Sequence, residues 1–298
     1  MPTPPPGDRC SLRSLAVEEP LPGTASTIRR WLLIEHAGPW GRDGLLDARL
    51  PAGLGRDLRA LERRTDARVL LIRKPHRVPA RDDGTVSCFA VDTEDAWLGT
   101  TSVETIERAR DLDPRDRAAF TTTVQPLVVV CTHGRRDPCC AERGRPVAEG
   151  LAAAFPDLSW ESTHVGGDRF AGNLVAFPHG LYFGRVEPDE APEIARGYAE
   201  GRIARLDRYR GRSSDPPHVQ AAEVALRDHL GLDRIDAVVR ERADRRDECA
   251  EVTFATSNGS QRVRLERSFG GPMRLTCHAT HEHAPPVWRA LEIAGVTG

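Results

Sequence analysis

The order in which apolar runs and amphipathic segments follow one another constrains the fold of this chain more than any other feature. A first set predicts a strand, a helix, a second strand, an antiparallel strand pair and the beginning of another helix. Its members are WLLIEH (31–36), Leu54 to Arg64, ARVLLIRKP (67–75), TVSCFAVD (85–92) with AWLGT (96–100), and Val103 to Arg110. Such a mixture of strands and helices is typical of an α/β domain.

The same order recurs in the second half of the chain. Its members are LVVVCTHG (127–134), a helix from Arg145 to Phe155, LSWESTHVGG (158–167), a hairpin around His179-Gly180, and a long helix from Pro188 to Tyr209. Strand, helix, strand, hairpin and helix follow each other in this way in a thioredoxin-like fold. We therefore predict two tandem thioredoxin-like units with mixed sheets and flanking helices. Two unrelated α/β halves are the alternative.

A small α+β module is predicted to follow the break at SSDPP (213–217). HVQAAEVALRDHLG (218–231) is an amphipathic helix, and ECAEVTFAT and QRVRLERS indicate a hairpin. MRLTCHA then predicts a strand, and a short terminal helix is expected from Pro286. The expected organisation is a flexible arm over 1–24, thioredoxin-like units over 25–118 and 119–212, and the module over 213–298.

Composition and charge indicate which cellular environment and which classes of partner are expected. The chain has 298 residues, with 42 basic against 44 acidic side chains and a formal charge of -2. This balance does not favour a general nucleic-acid surface. The longest apolar run, Pro126 to Cys131, is far shorter than the roughly 20 residues of a membrane helix. MPTPPPGDRC resembles no secretory signal, so we expect a cytoplasmic protein that does not act at a membrane.

Three of the seven cysteines, Cys131, Cys139 and Cys140, fall within ten residues. In a reducing compartment a disulfide framework is not expected, so these thiols are candidates for metal or redox chemistry. Cys131 ends a predicted strand, and the other two begin the next helix. Thiolates are soft ligands for iron-sulfur clusters and zinc, and a helix N-terminus favours the ionised thiol. The short zinc motif C-x2-C is absent.

A histidine and a carboxylate follow the next predicted strand. His164 and Asp168 are separated by a segment in which Gly166 and Gly167 allow a tight turn. Both side chains could therefore face one site. Because the two strands of a strand-helix-strand unit are neighbours, we expect this segment to converge with the cysteines.

Three motifs, CTHGRRDPCCA, HVGGDRFAGN and FPHGLYFGRV, resemble the sucrase/ferredoxin-like family of thioredoxin-like ferredoxins. The similarity covers roughly residues 25 to 210 and, more loosely, the terminal module. It implies that the unit over 119–212 is a thioredoxin-like ferredoxin unit, whereas the unit over 25–118, which has no cysteines at the corresponding loop, is expected to be cofactor-free. The fungal members bind a 2Fe-2S cluster through a cysteine pair and a histidine pair. By position, the resemblance implies Cys131 and Cys140 as the cysteine pair and His164 as the first histidine. Asp168 stands where the family has its second histidine.

This substitution leaves three hypotheses open for the cluster. Asp168 ligates iron directly, Cys139 supplies the fourth ligand, or the cluster is absent. The side chains of adjacent cysteines point in different directions, which argues against both Cys139 and Cys140 binding one iron.

Several neighbours are candidates for supporting roles. His133, Arg135, Arg136 and Arg169 could donate hydrogen bonds near the cluster and tune its potential. For the arginines, solvated surface positions are the alternative, and for His133 a hydrogen-bonded loop position. Among the other cysteines, Cys88 and Cys249 are predicted in the core and Cys10 in the arm. The cluster of metal-binding residue types from Cys277 to His283 lacks a second ligand group at a characteristic spacing.

The leading functional hypothesis is a soluble iron-sulfur electron carrier, rather than an enzyme with a substrate of its own, that exchanges electrons with an unidentified redox partner protein. A cluster-free thiol-disulfide oxidoreductase using Cys131, Cys139 and Cys140 is the first alternative, although the usual C-x-x-C is missing. A cofactor-free interaction module is the second. The oligomeric state stays open.

Overall fold

The computed structural model describes residues 6–75 and 84–296. Within them the α-helices are α1 (Cys10–Ala16), α2 (Leu54–Thr65), α3 (Pro138–Ala154), α4 (Glu190–Ala199) and α5 (Pro217–Leu230). The strands of the first half are β1 (Arg30–Glu35), β2 (Ala67–Arg73), β3 (Val86–Asp92), β4 (Trp97–Val103) and β5 (Thr121–Thr122). Those of the second half are β6 (Leu127–Cys131), β7 (Ser159–Ser162), β8 (Leu174–Phe177), β9 (Leu181–Phe183) and β10 (Tyr209–Arg212). The last four are β11 (Val239–Arg246), β12 (Cys249–Thr256), β13 (Gly259–Phe269) and β14 (Pro286–Gly295).

One sheet runs through both halves of the described chain, in the order β10-β9-β8-β6-β7-β2-β1-β3-β4-β5. Each half repeats one pattern. Its first strand pairs in parallel with the second and antiparallel with the third. The halves meet where β2 and β7 pair antiparallel, with Ile72 opposite Ser162 and Arg73 opposite Glu161. The mixed α/β class predicted from the sequence, with a separate small module at the end of the chain, is confirmed, whereas the domain limits set at 25–118 and 119–212 stay predictions.

Aromatic side chains from both halves share one core beneath this sheet. Trp31 of β1 is fully buried and contacts Phe177 edge-on, with ring centroids 5.2 Å apart. The Tyr182 ring lies 6.4 Å from the same indole. Large aromatic side chains bury much apolar surface and dominate the energetics of such a core. The halves are therefore held together by packing as well as by the β2–β7 pairing.

The C-terminal helix α5 is anchored by a buried ion pair. The Glu223 carboxylate accepts hydrogen bonds from Arg227, at 2.9 and 3.0 Å, and from Arg212 of β10, at 3.2 Å. Glu223 and Arg227 are almost completely buried, so these contacts are what keep their charges compensated. Beyond α5 the second sheet has the order β11-β12-β13-β14.

The predicted long helix from Pro188 to Tyr209 is wrong over its second half. Helix α4 ends at Ala199, because the chain turns at Gly201, whose φ of +76° is left-handed. The chain then returns as β10 at the edge of the large sheet, where it pairs with β9. The helix predicted from Val103 is also wrong, since only a short 3-10 segment, Ile106–Asp111, forms there.

Two predictions for the terminal module are wrong. The strand expected at MRLTCHA is a loop with one isolated bridge between Met273 and His283. The helix expected from Pro286 is the strand β14, which pairs with β13 along its length. The open edge of β13 offers a row of backbone hydrogen bonds, and this tertiary pairing overrides the helix preference of RALEIA.

The N-terminal arm predicted over residues 1–24 is only partly described, since residues 1–5 lie outside the described ranges. From Cys10 to Ala16 it forms α1, in which Cys10 and Ser14 are buried. The described part of the arm is therefore folded against the body of the protein. Among the described residues, no helix is both long and apolar enough to cross a bilayer.

Candidate metal centre

Two thiols, an imidazole and a carboxylate converge where β6 ends, α3 begins and the loop after β7 turns. We call these four residues, Cys131, Cys140, His164 and Asp168, the Cys–His centre. The sulfur atoms of the two cysteines and a ring nitrogen of His164 all lie within 4.8 Å of one another. An Asp168 oxygen is 3.1 Å from Cys140 Sγ and 3.0 Å from His164 Nδ1. The convergence expected from the sequence is thus present.

The N-terminus of α3 places Cys140. Asp137 is the N-cap, its side chain accepting a hydrogen bond from the Cys139 N–H at 3.0 Å, and Pro138 occupies the first turn. Farther along the helix, a Cβ at Gly144 would lie 2.1 Å from the Cys131 carbonyl oxygen. Glycine therefore lets α3 approach the end of β6 closely enough to bring Cys140 to Cys131.

A glycine turn places His164 and Asp168 on the same side. Gly166 and Gly167 have φ values of +103° and +78°, which L side chains rarely adopt. A Cβ at Gly166 would lie 2.2 Å from Ser26 Oγ, and one at Gly167 would lie 2.4 Å from a guanidinium nitrogen of Arg210. The turn therefore requires glycine at both positions.

Arg210, which sequence reasoning missed, supports this turn from within the core. Its guanidinium donates to Asn173 Oδ1 at 2.6 Å and to the Gly166 carbonyl at 3.4 Å, while Asn173 Nδ2 donates to the Gly167 carbonyl at 2.8 Å. Burial lowers the pKa of Arg210 to about 9. No local pattern in YRGR marks this arginine, because its partners come from distant segments.

His133 supports the centre through the backbone. Its Nδ1 accepts a hydrogen bond from the His164 N–H at 3.2 Å, and its Nε2 lies 2.9 Å from the Gly41 carbonyl oxygen. This pair of partners fits the neutral ring with the proton on Nε2, and burial lowers its pKa. The Trp40 ring packs edge-on against His133 at 5.8 Å, so the first half of the chain helps to position His164.

His164 and Asp168 stabilise each other's charged forms despite their burial. Burial opposes protonation of His164, but Asp168 and Cys131 outweigh it and raise the pKa of the imidazole to about 10. Burial likewise opposes ionisation of Asp168, yet its contact with His164 lowers the pKa of the carboxyl below its ordinary value. Without a metal the two groups therefore form an ion pair. The ring must release this proton before it can act as a ligand.

The donor set fits a transition metal or an iron-sulfur cluster. The pKa of Cys131 is held well below its ordinary range, although the side chain is completely buried. The largest cause is a hydrogen bond from the Cys140 thiol, and the His164 imidazole also lowers this pKa. His164 Nδ1 is buried and lies near Asp168 without a hydrogen bond of acceptable geometry to any described residue. Two thiols and an imidazole whose donor atoms lie within 4.8 Å of one another are a donor set that suits a soft metal.

The predicted arginine neighbours lie farther out. Arg135 and Arg136 are exposed, and only the charge of Arg136 contributes to lowering the Asp168 pKa. Arg169 pairs with the buried Glu19 at 2.8 Å instead of facing the centre. These positions do not test the supporting roles predicted for the arginines.

Cys139 does not join the Cys–His centre. Its sulfur lies against those of Cys10 and Cys277, because consecutive helix residues project about 100° apart. The hypothesis that Cys139 supplies the fourth ligand is therefore not supported by its placement. Cys249, predicted in the core, is exposed, whereas Cys88 is buried as expected.

A pocket of about 420 Å³ opens beside His164. The His164 imidazole is 20% exposed and forms part of the lining of this pocket. We call this cavity the arginine pocket. Its charged lining consists of Arg42, Arg59, Arg63, Arg68, Arg136, Asp43 and Glu62.

Replacing Gly167 with alanine tests the glycine turn. Gly231 has a similar φ of +66° but open space around it, so Gly231→Ala isolates backbone strain and should cost about 1 kcal/mol of unfolding free energy. Gly167→Ala adds a clash with Arg210 and should cost about 1–3 kcal/mol more. Chemical denaturation measures both. Equal losses in the two variants would show that Arg210 does not constrain the turn.

Similarity to solved structures and to a curated protein is limited to short segments. Two solved structures of the thioredoxin-like [2Fe-2S] ferredoxin from Aquifex aeolicus, both cysteine-to-serine variants, match with TM-scores of 0.22 and identities of 23% and 22%. Each match covers 26% of this chain and 88% of the ferredoxin. Altered inheritance of mitochondria protein 32 from Meyerozyma guilliermondii is 32% identical over 95 residues, which is 28% of this chain. This chain spans about a third, 34%, of that relative's length.

A family model covers far more of the chain. The sucrase/ferredoxin-like model matches residues 21–211, a range that includes β1 through most of β10 and all four residues of the Cys–His centre. The match extends over more than half of the 298 residues. The chain therefore belongs to the sucrase/ferredoxin-like family.

Proposed function

We propose that the Cys–His centre holds a 2Fe-2S cluster and that the protein carries single electrons between redox partners. The convergence of the Cys131 and Cys140 thiols with the His164 ring carries this proposal. Membership of the sucrase/ferredoxin-like family supports it. When bound, such a cluster supplies reversible one-electron chemistry, which needs no substrate pocket of its own.

The chain contributes ligands, a dry environment and an exit for the electron. Cys131 and Cys140 are fully buried and would act as thiolate ligands. His164 would bind through a ring nitrogen, and the exposed part of its ring at the arginine pocket would be the exit toward a partner. Asp168 would complete the ligand set, because its carboxylate already contacts Cys140 and His164.

The arginine pocket favours an acidic redox partner. Arg59 pairs with Asp43 and Glu62, at 2.8 and 2.5 Å. Arg68 also lies 3.9 Å from Glu62, so two arginines offset the two acidic side chains of the lining. Arg42, Arg63 and Arg136 are exposed, and none of them has an ion pair with a described residue. A concave surface with excess positive charge attracts anions and accelerates their encounter.

Charge reversal in the arginine pocket should slow oxidation by an anion. In Arg42→Glu with Arg136→Glu, we expect the reduced protein to react about tenfold more slowly with hexacyanoferrate(III) at low salt. The rate of a cationic oxidant, tris(phenanthroline)cobalt(III), should not fall. Stopped-flow absorbance measures both, with Arg242→Glu on the second sheet as the matched control. Equal slowing with both oxidants would show that electrons do not leave beside this pocket.

Anaerobic purification tests the proposed cofactor. We expect two iron and two acid-labile sulfide per chain, with visible absorption that bleaches on reduction. A colourless protein without iron or sulfide, either as purified or after anaerobic reconstitution, would contradict the proposal. A reversible Cys131–Cys140 disulfide in a metal-free protein would instead favour a thiol-disulfide oxidoreductase.

A mononuclear metal centre is a second candidate. All three donor atoms lie within 4.8 Å of one another, a spacing that also suits ligands of one tetrahedral ion. One zinc or iron per chain at this centre, without sulfide, would favour it over the cluster.

A further inference from the structure

A second group of cysteines lies outside the Cys–His centre. We call Cys10, Cys139 and Cys277 the three-cysteine group. Cys10 begins α1, Cys139 lies in the first turn of α3, and Cys277 lies in the loop between β13 and β14. The sulfur of Cys139 is 3.6 Å from that of Cys10 and 3.4 Å from that of Cys277, and the third separation is 3.5 Å. Three distant segments thus bring their thiols to one point.

The triangle has the dimensions of one tetrahedral ion. With Zn–S bonds of about 2.3 Å, tetrahedral geometry places the ligand sulfurs about 3.8 Å apart. The observed separations are close to this value and nearly equal. Cys10, Cys139 and Cys277 are 1%, 0% and 6% exposed, so water is largely excluded from the thiols. Their mutual contacts offer only weak S–H hydrogen bonds in return for this burial.

Asp137 adds a fourth donor to the group. One carboxylate oxygen accepts from the Cys139 N–H at 3.0 Å and the other from the Cys277 N–H at 2.7 Å. Both oxygens lie 3.8 Å from Cys10 Sγ. The carboxylate therefore fixes the backbone of two cysteines and faces the third. One Asp137 oxygen and the three sulfurs all lie within 4.8 Å of one another.

We propose that Cys10, Cys139 and Cys277, with the Asp137 carboxylate as fourth ligand, form a structural zinc site. Three thiolates make a soft donor set that favours zinc over magnesium or calcium, and zinc accepts the tetrahedral arrangement without redox change. A dication also compensates the negative charge that ionised thiols would bring into a buried environment. Four protein ligands leave no open position, so the site does not catalyse a reaction.

The zinc site would join three parts of the chain that the large sheet does not connect. It fastens α1 and the loop after β13 to the N-terminus of α3. Cys139 and Cys140 are consecutive, so the same helical turn would carry one ligand of each metal site. The zinc would therefore hold the helix end from which Cys140 reaches the Cys–His centre.

Metal analysis of the protein, comprising all 298 residues, tests the proposal. After exhaustive dialysis of protein produced with zinc in excess, we expect one zinc per chain, measured by plasma mass spectrometry. Cys10→Ser with Cys277→Ser should lower the zinc content at least tenfold. Cys249→Ser, which removes an exposed cysteine, should keep it. Cys131→Ser should also keep the zinc, which separates this site from the proposed cluster.

Two further measurements use the wild-type protein, so they do not depend on the variants folding correctly. In the wild-type protein, Cys10 and Cys277 should resist iodoacetamide until a strong chelator removes the zinc, as peptide mapping would detect. Replacing zinc with cobalt should produce the intense charge-transfer and ligand-field bands of a tetrahedral thiolate site. Absence of zinc in the wild type, zinc retained by the double variant, iron at this site despite excess zinc, or a Cys10–Cys277 disulfide in anaerobic protein would each overturn the proposal.

Discussion

Replacing Cys131 with serine is expected to reduce bound iron at least about tenfold. Mutation of a residue that only supports a metal ligand typically lowers metal affinity about 10–100-fold, and loss of a ligand itself should lower it further. Cys131 is fully buried, is held at the end of β6 and contacts both Cys140 and His164. Serine keeps the size of the side chain but offers a harder oxygen donor. Iron analysis and visible absorbance of anaerobically purified protein measure the loss, and Cys140→Ser should behave in the same way.

Two controls separate a ligand from an ordinary cysteine. Cys88 is also buried but lies in β3 of the first half, and Cys249 is exposed on β12. Serine at either position should leave the iron content unchanged. If Cys131→Ser retained its iron, or if Cys88→Ser lost as much, Cys131 would not be a ligand.

Histidine in place of Asp168 is expected to raise the midpoint potential by an amount on the order of 100 mV, by comparison with the higher potentials of clusters that have imidazole ligands. The ionised carboxylate stabilises the more positive oxidised state, and neutral imidazole removes that stabilisation. Asp168 is only 3% exposed, so its charge acts in an environment with little water. A redox titration followed by visible absorbance measures the shift.

Asp168→Asn is the matched variant, because asparagine keeps the shape and removes the charge. It should also raise the potential if it retains iron. An Arg169→Gln variant, which alters a neighbour that pairs with Glu19 rather than with the centre, should change the potential far less. An unchanged potential in Asp168→His would exclude Asp168 from the ligand set.

The parts of the fold that were predictable from the sequence are its buried strands. β1, β2 and β6 are short apolar runs, buried on both faces and ended by polar loops, so the local pattern carries the information. The edge strands were not predictable. Only Trp288 of β14 is buried, and every residue of β11 is exposed. Buried and exposed residues therefore do not alternate along these two strands, and their sequences lack the apolar pattern that predicts a strand. Their conformation depends on a neighbouring strand rather than on local sequence.

Of the two proposed metal sites, one was predictable from the sequence and the other was not. The residues of the Cys–His centre are adjacent to strand ends and to a glycine turn, and their convergence followed from the predicted strand-helix-strand order. The convergence of Cys10 and Cys277 on Cys139 was not predicted, because these residues lie 129 and 138 positions from Cys139 in the chain. Cys10 stands in a proline-rich segment and Cys277 in a loop that resembled a strand. Nothing local to either residue indicates that the chain brings them together.

Pulsed electron paramagnetic resonance of the dithionite-reduced protein, produced with ¹⁵N-labelled histidine, tests the central claim most directly. We predict a spin-one-half signal with one strongly coupled histidine nitrogen, from His164, and two such nitrogens in Asp168→His. A reduced protein with no such signal, or a signal without coupling to a histidine nitrogen, would contradict a 2Fe-2S cluster held by Cys131, Cys140, His164 and Asp168.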